Sequence, residues 1–180
     1  FMRGQEGDVW HPLVNEPENP KFKGKNRRAY WVNREFMDHE RDEDYSTPQC
    51  FIQAMEFLDN NHSADNWHLH IECFDPHEPF FAMQQWKDKY LHGWVSPHFD
   101  WPKYERVRED PETVAHVQYE YAALLSQCDH YLGKVLDCMD DYQMWNDTML
   151  IVNTDHGFLL GEHDWWAKCR MPFYNEIART

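Results

Sequence analysis

Basic residues are scarce in this sequence, with 17 Lys and Arg against 32 Asp and Glu and a formal net charge of −15. Nucleic acids and anionic membranes are bound by basic surfaces, so this charge argues against both as partners. An anionic ligand could still bind through a metal ion or a few local cations. The chain also has no apolar run of the roughly 18 residues that a transmembrane helix needs. We therefore expect neither a nucleic-acid partner nor a membrane span.

The cysteines lack the arrangement of a disulfide framework. They are odd in number and irregularly spaced, and they form no CxxC motif; the five are Cys50, Cys73, Cys128, Cys138 and Cys169. The pattern predicts free thiols that act as small apolar side chains. Free thiols are typical of reducing compartments, which favours the cytoplasm.

A short apolar run, Met149 to Val152, leads into the tripeptide Asp155-His156-Gly157. The run is rich in β-branched residues and too short for a helix, so it predicts a strand buried on both faces of a sheet. Open α/β sheets bind ligands at the carboxyl ends of such strands. Asp155 and His156 therefore have two interpretations, a capped turn or a metal, phosphate or sulfate site. Gly157 is predicted to permit a sharp turn.

Further ionisable residues follow the tripeptide at short intervals. Glu162, His163 and Lys168 alternate with the large rings of Trp165 and Trp166. Charged groups beside apolar rings favour a walled pocket over a solvated loop.

Residues 67–73 alternate between apolar and polar side chains, which predicts a strand with His68, His70 and Glu72 on one face. That row could bind a metal, but an exposed strand face is favoured because a cupin-like barrel would need more strands. The chain then enters Asp75-Pro76-His77-Glu78-Pro79. The two prolines are predicted to hold His77 in a rigid turn.

Two helices are predicted on either side of that turn. The first has Thr47 as its cap and Pro48 at its first position, and it ends at Asn60-Asn61. The second and longest has Asp110 as its cap, followed by Pro111. Its apolar residues recur at three- and four-residue steps; they are Val114, Val117, Tyr121, Leu124, Cys128, Tyr131, Val135 and Met139.

The order of strand, long helix and strand predicts a βαβ unit with parallel strands. Because the carboxyl ends of parallel strands share one edge of the sheet, His77 and Asp155 should converge on one cleft. Lys168 should reach that cleft from the loop after His156.

The run DHGFLLGEHDWWAK and the following MPFYNEIART resemble the second signature region of the sulfatases, which belong to the alkaline phosphatase superfamily. In that family a strand ends in an Asp-His-Gly or Asp-Asn-Gly step. A Gly-Glu-His-x-x-Trp-x-Lys run follows, and then an aromatic-x-Glu-x-x-Arg element. Asp129 and Gly133 also match the family's long helix, and the opening RGQEGDVW resembles a segment that precedes a variable insertion.

The resemblance implies a partial alkaline-phosphatase-like fold, a three-layer α/β/α arrangement with a mostly parallel sheet. Residues 1–180 would form a single fragment, with an irregular arm or insertion at 1–46 and an α/β part at 47–180. The implied activity is hydrolysis of a small-molecule or carbohydrate sulfate ester. Phosphonate or phosphodiester hydrolysis by a protein of the same superfamily is an alternative, and so is a truncated, non-catalytic binding module.

The resemblance also implies roles for four residues. His77 and Lys168 would be catalytic, and Asp155 and His156 would bind a divalent metal. Sulfatases usually hold calcium, while His156 in place of an Asn makes manganese possible.

The family's nucleophile is a formylglycine made within a Cys/Ser-x-Pro-x-Arg motif, and none of the five cysteines lies in such a motif. We expect this motif upstream of Phe1, together with the paired aspartates that complete the metal site. The chain is therefore predicted to be a fragment of a longer protein that carries half of a site.

Overall fold

The computed structural model describes residues 41, 43, 45–80, 82–95, 99–168 and 174–178. Its helices are α1 (Ser46–Asn61), α2 (Gln84–Lys87), α3 (Pro111–Asp141) and α4 (Asn175–Ala178), and its strands are β1 (Leu159–Leu160) and β2 (Trp166–Ala167). Short 3-10 helices cover Asp88–Tyr90, Met144–Asn146 and Glu162–Asp164. The predicted arm at 1–46 lies almost entirely outside the described residues. No helix within these ranges is both long and apolar enough to cross a membrane.

The long helix α3 begins as the sequence predicts. Asp110 accepts a hydrogen bond from the Thr113 backbone N–H at 2.8 Å, and Pro111 takes the first helical position. The predicted apolar stripe is confirmed, since its central members are buried along the helix; they are Val117, Leu124, Tyr131, Val135 and Met139. A local cap and a sustained helical period were sufficient to define this element.

The Asp110 cap should make stability depend on pH. The backbone N–H of Thr113 holds the pKa of Asp110 below its ordinary value of 3.8. A lowered folded-state pKa contributes stability above pH 3.8, and that stability is lost as pH falls through the lowered value. Asp110→Ala is therefore expected to lower the melting temperature at pH 7 and to converge with the wild type in stronger acid.

Asp110→Asn is the matched control for the cap, because Asn retains the capping oxygen but does not ionise. Thermal unfolding followed by circular dichroism across the acid range would check all three proteins. A difference between wild type and Asp110→Ala that stays constant through that range would contradict the linkage.

The predicted cap of α1 is wrong. Tyr45 occupies the cap position without a side-chain hydrogen bond, and Thr47 lies within the helix. The Thr47 hydroxyl instead donates to Asp75 Oδ2 at 2.7 Å. This buried contact joins α1 to the turn that carries His77, and it depends on a residue 28 positions away that local pattern does not identify.

Two hydrophobic clusters form the core, one at each end of α3. The first includes Phe80, Trp86, Val117, Leu124 and Trp166. The second combines α1 and the later part of α3; its buried members are Phe51, Leu58, Tyr131, Val135, Met139 and Met144. The helix α3 is therefore shared by both clusters and holds the segments before and after it in place.

The predicted βαβ unit is absent from the described residues. Residues 67–73 keep the predicted alternation, with Trp67, Leu69 and Ile71 packed on the second cluster, but they form no strand. The run at 149–152 is likewise not a strand, and Met149, Ile151 and Val152 are 83%, 73% and 65% exposed instead of buried. A strand exists only where a second backbone pairs with it, and neither segment has such a partner among the residues that the structure describes.

The sheet found in the described part of the chain is a two-stranded antiparallel hairpin. Leu159 pairs with Ala167 and Leu160 with Trp166. The segment that contains β2 also contacts residues 105–107. Trp166 N–H donates to the Glu105 carbonyl, and Val107 N–H donates to the Asp164 carbonyl, both at 3.0 Å. The hairpin is therefore anchored on two sides, which fixes the backbone immediately before Lys168.

Candidate active site

The amino group of Lys168 lies between two imidazole rings. Its Nζ is 2.7 Å from His77 Nε2 and 3.4 Å from His156 Nε2. The three residues come from three separate segments, spaced by up to 91 positions. Lys168 thus reaches His77 as expected, although the described residues do not form the parallel strands that were to bring them together. The expected meeting of His77 with Asp155 stays a prediction.

The hydrogen bonds fix the tautomer of both rings. His77 Nδ1 lies 2.6 Å from the Glu78 carbonyl, and His156 Nδ1 lies 2.9 Å from the Gly157 carbonyl. A carbonyl oxygen only accepts, so each Nδ1 must carry the proton. In a neutral ring Nε2 is then a lone-pair acceptor, and Lys168 donates to it. The site thus combines one ammonium donor with two imidazole acceptors.

A buried carboxylate lies behind this group. Glu78 is 1% exposed, and its Oε2 is 3.2 Å from His77 Nδ1 and 3.8 Å from Lys168 Nζ. Its other oxygen, Oε1, accepts a hydrogen bond from the Tyr104 hydroxyl. Sequence reasoning missed both residues. The position of Glu78 between His77 and Pro79 gave no signal of burial, and Tyr104 reaches it from 26 positions away.

Asp155 forms the capped turn, the first of the two arrangements that the sequence allowed. Its Oδ1 accepts from the His156 backbone N–H at 2.9 Å, which closes the turn. Its side chain is largely exposed, and Oδ2 lies 3.6 Å from His156 Nε2. A carboxylate oxygen and an unprotonated imidazole nitrogen at this spacing could bind one divalent cation together.

The donor chemistry of Asp155 and His156 fits a metal pair. His156 donates its Nδ1 proton to a backbone carbonyl, the arrangement that usually orients a metal-binding imidazole. Within the described ranges, no group of three or more His, Cys, Asp or Glu side chains converges in a way that could hold a metal. The row of His68, His70 and Glu72 therefore forms no such group, and the interpretation of that row as a metal site is wrong.

Backbone conformation before Lys168 is unusual. Ala167 has φ of 74° and is completely buried in the first core cluster. A non-glycine residue in the left-handed region is strained and persists where packing holds it. The β1–β2 pairing and the burial of Trp166 supply that packing. Lys168 is consequently presented from a rigid backbone.

Gly157 is required for a different reason from the predicted sharp turn. A Cβ built on Gly157 would lie 1.7 Å from the Glu176 carbonyl oxygen. The Gly157 N–H also donates to the Ile177 carbonyl at 2.9 Å. The absence of a side chain therefore lets α4 pack directly against the segment that carries Asp155 and His156.

Other ionisable residues of the signature run support the fold and stay apart from the three-residue group. Glu162 accepts from the Leu160 backbone N–H at 2.6 Å. His163 lies 3.2 Å from the Glu176 carboxylate; the Glu176 backbone N–H and the His163 ring together lower the pKa of Glu176. Trp166 is 1% exposed and belongs to the core. Of Glu162, His163 and Lys168, only Lys168 contacts His77 and His156. The walled pocket stays a prediction.

The four described cysteines are free thiols, as predicted. Burial, with smaller contributions from Cys50 and Asp75, raises the pKa of Cys73 to about 12. Burial also raises the pKa of Cys128. Thiols that stay protonated at neutral pH are poor nucleophiles, so both behave as apolar packing groups. Cys169 lies outside the described residues.

Comparison with known proteins adds a family to this geometry. A family model described as Sulfatase matches residues 9–176. Iduronate 2-sulfatase of Homo sapiens is 40% identical over 52 residues, which cover 29% of this chain and 10% of that protein. Choline-sulfatase of Rhizobium meliloti is 25% identical over 138 residues, covering 67% of this chain and 27% of that protein.

A third relative is the multifunctional alkaline phosphatase superfamily protein PehA of Trinickia caryophylli. It is 33% identical over 54 residues, which cover 30% of this chain and 10% of that protein. The chain therefore spans less than a third of the length of these three relatives. No solved structure matches the chain.

Proposed function

Because the chain belongs to the sulfatase family, we propose that it forms part of a sulfuric ester hydrolase. The observation that carries the proposal is the contact of Lys168 Nζ with the Nε2 atoms of His77 and His156. Two fixed acceptors orient this ammonium group. An ammonium group in such an environment suits the binding of an anionic ester better than one held in a structural ion pair. Its substrate would be a small-molecule or carbohydrate sulfate ester.

Lys168 and His77 would act on the ester itself. Lys168 would donate to a sulfate or bridging oxygen as negative charge develops there in the transition state. His77 lies within hydrogen-bond reach of Lys168 and presents its Nε2 to the same space, where it would contact the ester or serve in proton transfer to the leaving alcohol.

Asp155 Oδ2 and His156 Nε2 would hold a divalent cation, calcium in most sulfatases or manganese. A bound cation screens negative charge and polarises the transferred group. The remaining ligands would come from the paired aspartates expected upstream, and the nucleophilic formylglycine from the same region. His156 Nε2 would hold that cation in place of its contact with Lys168.

The upstream region would also complete the sheet. Family membership implies an alkaline-phosphatase-like α/β fold, and we propose that residues 67–73 and 148–152 become parallel strands in the longer protein. Two observations support this proposal. Residues 67–73 alternate between apolar and polar side chains and residues 148–152 are mainly apolar, as in strands. In addition, Met149, Ile151 and Val152 are exposed. A paired strand would bury those side chains.

Phosphonate or phosphodiester hydrolysis is the second candidate. Two observations favour testing it: the match to the alkaline phosphatase superfamily protein PehA and the presence of His156 where many sulfatases carry Asn. A third possibility is a truncated binding module without catalysis.

One experiment separates these three functions. The reading frame would be extended upstream, the encoded protein expressed, and its hydrolysis of aryl sulfate, aryl phosphonate monoester and phosphodiester measured with calcium or manganese. Preferred hydrolysis of the sulfate supports the proposal, and preferred hydrolysis of the other esters supports the second candidate. A start codon directly before Phe1 with no Cys/Ser-x-Pro-x-Arg segment would favour the binding module.

The 180-residue chain by itself is expected to show no esterase turnover. A catalytic group acts efficiently only when nucleophile, substrate and metal are positioned together, and partial sites lose several orders of magnitude in rate. The measurement is release of a chromogenic aryl alcohol from its sulfate ester by the purified chain. Turnover that is abolished by Asp155→Asn would contradict this expectation.

A further inference from the structure

The buried carboxylate of Glu78 lies outside the set of residues that the family resemblance assigns to the site. Its Oε1 accepts a hydrogen bond from the Tyr104 hydroxyl, and its Oε2 lies within ion-pair distance of His77 Nδ1 and Lys168 Nζ. A buried anion is costly unless it is paired and hydrogen-bonded. Its presence directly behind the two proposed catalytic side chains calls for a physical explanation.

We propose that Glu78 is a positioning residue that holds His77 as the Nδ1–H tautomer and keeps the Lys168 ammonium beside His77 Nε2. This inference rests on the proposed function only for its effect on turnover. The positioning itself concerns contacts within this chain.

The geometry around His77 Nδ1 carries the first step. That nitrogen lies between two acceptors of the same residue, the Glu78 carbonyl at 2.6 Å and the Glu78 carboxylate at 3.2 Å. Neither oxygen can donate, so the ring must present N–H on this side. Moving the proton to Nε2 would leave a lone pair facing two oxygens, and flipping the ring would replace the N–H donor with the Cδ2–H group. Glu78 therefore favours a proton on Nδ1, and the Lys168 ammonium at 2.7 Å favours an unprotonated Nε2.

The second step concerns charge. Lys168 Nζ lies 3.8 Å from Glu78 Oε2, near the upper limit for an ion pair. The Lys168 side chain is 10% exposed. The carboxylate offsets part of the cost of burying the ammonium. The ammonium then needs an acceptor at short range, and His77 Nε2 supplies it at 2.7 Å. One carboxylate thus orients the acceptor and stabilises the donor.

Tyr104 completes the arrangement from the other side. Its hydroxyl donates to Glu78 Oε1 and so fixes the plane of the carboxylate, which leaves Oε2 directed at His77 and Lys168. The Tyr104 ring is partly exposed, so its hydroxyl can be removed without opening the core.

The test compares Glu78→Gln with Glu120→Gln. Glu120 is a matched control because it is another buried carboxylate paired with a lysine, 3.0 Å from Lys87 Nζ, and it does not belong to the candidate site. Each variant is measured in two ways: the ¹⁵N resonances of the His77 ring in the 180-residue chain, and kcat/KM in the longer protein.

For the wild type we expect His77 resonances of a protonated Nδ1 and an unprotonated Nε2. Glu78→Gln should give averaged resonances of mixed tautomers, because an amide can donate where the carboxylate could only accept. It should also lower kcat/KM about 10- to 100-fold, the range usually seen when an outer hydrogen-bond partner of a catalytic ligand is removed. Glu120→Gln should lower the melting temperature and leave both readings unchanged.

Wild-type ring signals and wild-type kcat/KM in Glu78→Gln would overturn the proposal, whatever its melting temperature. Should Glu78→Gln fail to fold, Tyr104→Phe decides: a changed His77 spectrum supports positioning through the carboxylate, and an unchanged one contradicts it. If the wild-type longer protein hydrolyses no ester at all, the proposed function fails, while the resonances still show whether Glu78 sets the tautomer.

Discussion

Lys168→Ala in the longer protein is expected to lower turnover by roughly 10²- to 10³-fold, equivalent to about 2.7–4 kcal/mol in activation free energy. The reason is that Lys168 is the one ammonium group in contact with His77 and His156 among the described residues. A donor aimed at developing charge stabilises the transition state more than the bound substrate. The measurement is kcat with a saturating aryl sulfate, accompanied by thermal unfolding.

The stability of Lys168→Ala should change much less than its rate. Glu78 would lose one charged neighbour at 3.8 Å and keep its contacts with Tyr104 and His77. Lys87→Ala is the control, since it removes a similarly buried lysine that lies closer to its carboxylate, 3.0 Å from Glu120 compared with 3.8 Å between Lys168 and Glu78. That variant should lose stability and retain turnover. A lowered melting temperature with an unchanged rate in Lys168→Ala would show that Lys168 is only structural.

Elements that depend on local sequence were predicted well. Asp110, Pro111 and the apolar period that follows define α3 without reference to the rest of the chain. The end of α1 at Asn61 was equally local. The failed cap at Thr47 shows the limit of this reasoning, because its hydroxyl had a choice of partners and bonded to Asp75.

Strands were predicted less well because a strand needs a partner. The run at 149–152 has the composition of a buried strand, yet Met149 is 83% exposed. The composition of a segment indicates the environment that its side chains favour. Whether the segment forms a strand depends on which backbone lies beside it. Residues 67–73 and 149–152 nevertheless precede the turns that place His77 and His156 beside Lys168. Packing on α3 and α4 holds these segments in position without the hydrogen bonds of a sheet.

The centre of the candidate site was predictable from spacing and resemblance, while its supporting layer was not. His77, His156 and Lys168 stand in recognisable turns and runs. Glu78 and Tyr104 meet only through tertiary packing, and an acidic residue in a Pro-bounded turn is ordinarily solvated. Burial of such a residue is visible only once the chain is folded.

Gly157→Ala is expected to destabilise the chain by about 3 kcal/mol, at the upper end of the usual cost of overpacking. The Cβ would overlap the Glu176 carbonyl oxygen at 1.7 Å and lie 2.9 Å from its carbon. A backbone atom cannot rotate away as a side chain can. The two segments must therefore separate, and the hydrogen bond from Gly157 N–H to the Ile177 carbonyl is lost.

The clash can be relieved in two ways, and both should lower the free energy of unfolding by a similar amount. If α4 detaches, burial of Ile177, which contributes about 1.5–3 kcal/mol for a side chain of its size, is lost together with a hydrogen bond worth about 0.5–1.5 kcal/mol. If α4 stays, residues 155–157 move instead, and His156 is displaced from Lys168. Urea unfolding would measure the first effect, and amide exchange at Ile177 and Ala178 would show whether α4 has opened.

Gly133→Ala is the matched control, because it makes the same substitution in the middle of α3. A Cβ there meets no atom within 4 Å, and Ala is favoured over Gly in a helix by about 0.5–1 kcal/mol. The two substitutions should therefore act with opposite sign, Gly133→Ala raising the free energy of unfolding and Gly157→Ala lowering it. Equal effects from the two would mean that α4 does not pack on Gly157, and the rigid support of Asp155 and His156 would be lost with that contact.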